Sequence, residues 1–359
     1  MEGGRDSGES NDGRPAPGLS AGLVLDGRYR ILRPLAEGGM GAVWVAQQIS
    51  LEREVAIKVL HVADDAQRAR LRREALALAA VCHPAVVQVY DYGETTGGIP
   101  YAVMELVRGP SLGAHLRRVG ALPAEEAVAL VLPLLEGLSA AHGAGVIHRD
   151  IKPENVVLAE GPAGVAPRLL DFGIARRPDP EDARLTADGS LMGTPAYMAP
   201  EQVRGADPDE RVDVWGMAVL LYELIAGVTP FAAGNVFVVM RGVVDNPPPF
   251  PRHAVGLDGR LWAILMAALR KVPEERTPSA LALRDALAVW LGGRRNVLRS
   301  LLASAASGAS GASEAPVALA ARFAPTLAAA GEGEGAAPAP PEDASPSFDA
   351  LIREKLGGR

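Results

Sequence analysis

The run His148-Arg149-Asp150-Ile151-Lys152-Pro153-Glu154-Asn155, with Asp171-Phe172-Gly173 further along, brings four chemically useful groups into a short window. The Asp150 carboxylate can accept a hydroxyl proton, and the Lys152 ammonium can neutralise a phosphate oxygen. Asn155 and Asp171 offer the hard oxygen ligands that magnesium prefers. Together they suit phosphoryl transfer, in which the protein positions the reactants and neutralises charge around a metal-bound triphosphate. A polar loop followed by a turn is the bland alternative, and it does not account for both segments at this separation.

These groups need a scaffold on both sides of a cleft. From residue 29 the sequence reads as short β runs at 29–35, 42–48 and 55–60, a charged helix over 64–81, and strands at 86–90 and 101–106. After Pro110 the pattern becomes helical. Pro123 opens one helix with Glu125 and Glu126 in the first turn, where negative charge suits the helix dipole, and further helices are expected at 213–226, 261–269 and 279–291. The expected architecture is α+β: a small antiparallel β lobe with one helix, over a larger, mainly helical lobe. Residues 1–27 are Gly-, Ser-, Asp- and Pro-rich and read as a disordered arm, and 293–359 as a flexible Ala/Gly/Ser/Pro-rich tail. The folded unit is expected at 28–292, with the smaller lobe and its connection at 28–107 and the larger lobe at 108–292. Near the end, Phe348, Leu351, Ile352 and Leu356 stand at helical spacing, which reads either as a short docking helix for a partner or as a frayed terminus.

The two catalytic strings resemble the eukaryotic-like protein kinase superfamily, and roughly residues 28–292 look like a bacterial serine/threonine kinase of the Hanks type. The segment Ala36-Glu37-Gly38-Gly39-Met40-Gly41, with Val43 after it, resembles the glycine-rich loop over the ATP phosphates, although Ala36 stands at the first glycine position. In Val55-Ala56-Ile57-Lys58, the resemblance sets Lys58 against the α- and β-phosphates with Glu74 of the next helix as its partner. Met104-Glu105-Leu106-Val107 resembles the hinge, which implies backbone bonds from Glu105 and Val107 to adenine, Met104 behind it, and Val43, Ala56 and Val157 across its faces. It further implies Asp150 as proton acceptor, Lys152 on the transferring phosphoryl group, and Asn155 and Asp171 on magnesium, with manganese as the alternative. His148 and Phe172 are expected to pack the two segments together, and His142 reads as a helix-end residue. Arg149 implies a grip on a phosphorylated loop, with Thr186 and Ser190 as the acceptor hydroxyls. Thr194 is expected on Asp150 and Lys152, Glu201 on Arg276, and Asp213 behind the catalytic loop.

Composition narrows the partners. With 43 acidic against 36 basic residues the chain lacks the basic surplus of a nucleic-acid binder, so nucleic acid is not expected. Nearly every basic residue is arginine; the lysines are Lys58, Lys152, Lys271 and Lys355, and two of these fall where a compact phosphate-binding charge is wanted. The single cysteine, Cys82, cannot form an internal disulfide and reads as a buried thiol in a reducing compartment. No apolar run reaches membrane-spanning length, so a cytoplasmic location is expected. Protein substrates with Ser/Thr hydroxyls are the expected partners, and homodimerisation is left open. The rival readings are a nucleotide-dependent scaffold and a small-molecule kinase.

Overall fold

Strand-forming segments come first in the chain and pair almost in order. The computed structural model describes residues 19–38, 41–60, 65–95, 97–161, 164–172 and 195–292. Gly39, Met40, Thr186, Ser190, Thr194, residues 1–18 and the expected tail 293–359 lie outside the described residues. A six-stranded antiparallel sheet contains β1 (Val24–Leu25), β2 (Tyr29–Gly38), β3 (Gly41–Gln48), β4 (Arg53–Leu60), β5 (Val89–Glu94) and β6 (Pro100–Glu105), in the order β1-β2-β3-β4-β6-β5. Residues 19–27 of the expected disordered arm are instead folded, with β1 paired to β2 and Leu19 and Leu25 buried in the small lobe's core, because these apolar side chains give the segment surface to bury. The helix α1 (Asp65–Ala79) connects β4 to the β5–β6 pair.

Alternation along β4 explains how this sheet presents a functional face. Val55, Ile57 and Val59 are buried in the lobe's own core with Trp44, Tyr101 and Val103. Ala56 and Lys58 therefore point to the other face, since successive strand residues face opposite ways. The register sets Lys58 across from Val43 on β3 and Ala102 on β6, and Ala56 across from Met104.

The second lobe holds α2 (Leu112–Val119), α3 (Ala124–Gly143), α4 (Pro200–Arg204), α5 (Arg211–Ala226), α6 (Val236–Asp245), α7 (Gly259–Ala268) and α8 (Ala280–Leu291), with a small hairpin of β7 (Val156–Gly161) and β8 (Gly164–Leu169). Side-chain caps start several of these helices: Ser111 accepts from the Ala114 amide, Asp258 from Leu261 and Ser279 from Ala282. Apolar residues lie on every side of α5, and Val212–Tyr222 are buried throughout, so this helix forms the axis of the lobe. Periodicity did not reveal α2, α6, β1 or the β7–β8 hairpin, because each is short and draws its stability from packing.

Cys82 is exposed, which corrects the expectation of a buried thiol. Its neighbours Val81, Ala85, Val86 and Val87 are buried, so the turn between α1 and β5 puts its apolar members inside and leaves Cys82 outside. Among the described residues, no helix is long and apolar enough to cross a membrane.

Candidate active site

The catalytic loop lies between α3 and β7 and is held from beneath by the first turn of α5. Asp213, with no exposed side-chain surface, accepts from the backbone amides of His148 and Arg149, each at 2.7 Å. The same carboxylate meets Nε2 of His142 at 2.8 Å, and because a carboxylate only accepts, that nitrogen carries the proton. His142 stands in the last turn of α3, as expected of a helix-end residue, and its side chain is in addition part of the scaffold under the loop. The positive φ of Arg149, 64°, is maintained by these bonds and by Gln202, whose side-chain amide donates to the Arg149 carbonyl at 3.1 Å.

His148 is buried between the catalytic loop and Asp171. Its Nδ1 accepts from the Asp150 amide at 3.3 Å, so Nε2 donates to the Leu170 carbonyl at 2.8 Å, and the ring lies 4.5 Å from that of Phe172. Burial lowers its pKa below the ordinary histidine value, with Asp213 and Asp150 opposing the shift. The ring is neutral at neutral pH and couples the two catalytic segments by packing.

Asp150 is oriented by two donors. Lys152 Nζ lies 2.8 Å from Asp150 Oδ2, and the Asn155 amide donates to that oxygen at 3.0 Å and to the Asp150 carbonyl at 2.8 Å. With its nitrogen committed, Asn155 has only its oxygen for another ligand. Asp171, at φ 52°, accepts from Lys58 Nζ at 2.8 Å through Oδ1. Lys58 and Asp171, 113 residues apart in sequence, are thus paired, and the Leu170 amide, donating to the Asn155 carbonyl at 2.8 Å, ties the Asp171 segment to the group of Asp150, Lys152 and Asn155.

Glu74 does not take the expected position. Its Oε1 lies 3.7 Å from an Arg149 nitrogen, while Lys58 is paired with Asp171. The sequence puts Glu74 on α1, but the distance from α1 to β4 decides which cation its carboxylate reaches, and here it reaches across to the catalytic loop.

On the same face of the sheet as Lys58 is an apolar cluster. Ala56, Val87, Ala102 and Met104 form a buried cluster, with Val43, Leu106, Val107 and Leu170 packed against it. Val43, Ala56, Met104 and Val107 were expected there; Val87, Ala102 and Leu170 were missed, and only an ordinary apolar run marks them in the sequence. Val157 is buried on β7, bridged to Ser111. The Glu105 amide donates to the Gln88 carbonyl at 2.9 Å and its side chain pairs with Arg168, an ion pair without a sequence signal. Ala36 is on β2 with Glu37 and Gly38, and Gly41 opens β3 at φ 138°.

Beyond the loop, Glu201 and Arg276 make a bidentate pair at 2.7 and 2.9 Å. Arg276 has no exposed side-chain surface and also donates to the Arg270 and Arg211 carbonyls. This is the expected pair, but buried, which takes it out of the class of weak surface bridges.

The protein kinase domain profile matches residues 29–272. The chain belongs to the protein kinase family. It is similar to serine/threonine-protein kinase pkn2 of Myxococcus xanthus, 44% identical over 273 residues that cover 74% of this chain and 33% of the relative. It is also similar to serine/threonine-protein kinase PknA of Mycobacterium tuberculosis, 39% identical over 282 residues covering 76% of this chain and 64% of that one. The kinase chain therefore spans from a third to just under two thirds of the length of these relatives. The crystal structure of a point mutant of the Mycobacterium tuberculosis PknI kinase domain matches with a TM-score of 0.60 at 30% identity, covering 77% of this chain and all of that one. The antiparallel sheet lobe and the helical lobe of the kinase domain are those of this family.

Proposed function

We propose that this chain is an ATP-dependent serine/threonine protein kinase, acting in bacterial signalling, that transfers the γ-phosphoryl group to protein hydroxyls and to itself. The observation that carries the reading is the pairing of Lys58 with Asp171 and of Asp150 with Lys152 and Asn155, the two groups tied by the Leu170 amide on the Asn155 carbonyl, beside the apolar cluster on the Lys58 face of the sheet. Asp150 accepts the substrate hydroxyl proton, and Lys152, already 2.8 Å from it, neutralises charge on the transferring group. Lys58 holds the α- and β-phosphates. The adenine is assigned to the apolar cluster, with Glu105 and Val107 supplying backbone bonds, Met104 behind, and Val43, Ala56 and Val157 against its faces. Ala36 through Gly41 cover the phosphates.

A divalent cation fits the donor set. Asn155 has its amide oxygen left for a ligand, Asp171 has its second carboxylate oxygen, and such cations complete their shell with phosphate and water. When bound, the metal neutralises the developing charge on the phosphates. Magnesium is proposed, with manganese as the substitute. Arg149, now 3.7 Å from Glu74, is proposed to grip a phosphate on Thr186 or Ser190, which frees Glu74 for Lys58. Thr194 is assigned to Asp150 and Lys152.

The test is incubation of the full chain with labelled ATP, magnesium or manganese, and a generic basic protein, followed by phosphosite mapping. Phosphoserine and phosphothreonine are expected, and Asp150→Asn is expected to lower the rate by about 10²–10⁴. A folded Asp150→Asn protein with near-normal turnover would overturn the assignment and favour a scaffold.

A further inference from the structure

An open cavity of about 480 Å³ in the large lobe is lined by His142 at the end of α3, Ile147, Asp209 and Glu210 ahead of α5, Arg211 at its start, and Pro278 ahead of α8. Small-molecule sites commonly have volumes of about 300–1,000 Å³. None of the groups assigned to phosphoryl transfer lines this one. The His142 side chain is 5% exposed, and its Nε2 gives its proton to Asp213 at 2.8 Å. Nδ1 of the neutral ring is then an acceptor. Glu210 Oε2 lies 3.8 Å from it, too far for a hydrogen bond, and a carboxylate oxygen is itself an acceptor. Two acceptors thus face each other at a separation that N–H donors placed between them satisfy.

We propose that this cavity binds an alkylguanidinium group, carried by a free small molecule or by an arginine side chain. The charges at the site select a cation. Asp209 holds Arg211 through both carboxylate oxygens at 2.6–3.1 Å, and Glu274 adds a contact at 3.3 Å, so the arginine that lines the cavity is already neutralised. Glu210 and His142 Nδ1 are left to recognise the ligand. A guanidinium presents several N–H donors in a fixed planar fork, so it can serve Nδ1 and Oε2 together. It is also more weakly hydrated than an ammonium, which lowers the cost of entering a partly apolar site. Ile147 and Pro278 supply the apolar wall for the alkyl stem.

A cation bound there is connected to the support of the catalytic loop. Oδ2 of Asp213 takes both His142 Nε2 and the His148 amide, and Oδ1 takes the Arg149 amide. A donor on Nδ1 polarises the imidazole and makes its Nε2–H the stronger donor to Asp213. A continuous chain of hydrogen bonds then runs from the ligand through His142 and Asp213 to the two amides that precede Asp150.

Nitrogen NMR of the His142 ring in the full chain tests the site without ATP or a protein substrate, so its failure is separate from failure of the kinase reading. At neutral pH the ring of the free chain is expected as the neutral Nε2–H tautomer. The n-butylguanidinium ion is expected to shift the Nδ1 resonance saturably, with a dissociation constant on the order of a millimolar for a ligand of so few atoms. Glu210→Gln replaces a residue whose side chain makes no cap bond to α5, and it is expected to weaken binding about tenfold by removing a charge-assisted bond. n-Butylurea, similar in shape but uncharged, checks the same requirement on the unaltered chain and is expected to bind about tenfold more weakly. N-acetylarginine methylamide separates the sources. Binding at least equal to that of n-butylguanidinium assigns the site to an arginine of a polypeptide, and weaker binding assigns it to a free small molecule. An imidazolium His142 in the free chain, no saturable shift with n-butylguanidinium, or equal binding by n-butylurea would overturn the proposal.

Discussion

Replacing Asp213 with asparagine tests whether the catalytic loop is held by one buried carboxylate. Oδ2 serves the His148 amide and His142 Nε2, while Oδ1 serves the Arg149 amide, all at 2.7–2.8 Å. Asparagine keeps one acceptor oxygen. In its better orientation that oxygen retains His142 and His148, and the new NH₂ faces the Arg149 N–H, donor against donor. Losing a hydrogen bond to a charged acceptor costs about 1.5–3 kcal/mol, and the two surviving bonds weaken toward neutral strength. A total of about 3 kcal/mol corresponds to a melting-temperature drop of roughly 6–12 °C in a domain of this size. The strain falls next to Asp150, and because a displacement of about 1 Å can lower a rate 10²-fold, kcat is expected to fall by about 10–100-fold. KM for ATP should change little, since Lys58 is on β4. Scanning calorimetry and steady-state phosphorylation measure both effects, with His142→Leu as a milder companion that leaves both amide bonds. A melting temperature within about 2 °C of the parent together with kcat within about twofold would refute the bracing role.

Other expectations follow from burial. Arg276→Met strands the Glu201 carboxylate and should destabilise the chain by about 3–5 kcal/mol by urea unfolding, while the Glu201→Met, Arg276→Met double variant should recover part of that loss. Burial holds His148 below its ordinary pKa of 6.5, so the unfolded chain binds a proton that the folded chain refuses. Its share of stability is therefore present above the unfolded value and is lost as pH falls through and below 6.5, with a slope of at most about 1.4 kcal/mol per pH unit that His148→Tyr should remove. Gly109, four residues after the end of β6, has φ 141°, and a Cβ there would stand 2.1 Å from the Leu158 carbonyl oxygen. Gly109→Ala should lower stability by more than about 3 kcal/mol in thermal unfolding, against an unaffected Gly143→Ala control at an uncrowded position.

The sequence by itself determined what depends on near neighbours. Alternation along Val55-Ala56-Ile57-Lys58 separates core from cleft on β4, and the spacing within the catalytic loop lets Lys152 and Asn155 both reach Asp150. The tertiary structure decided which distant groups meet. Lys58 bonds Asp171 instead of Glu74, His142 joins Asp213, Arg168 pairs with Glu105, and Cys82 turns outward. Residue order fixes the face of a strand or helix on which a side chain stands, because backbone periodicity is local. The distance between two elements is set by the packing of everything between them, and a few ångströms of that distance choose between Lys58 and Arg149 as the partner of Glu74.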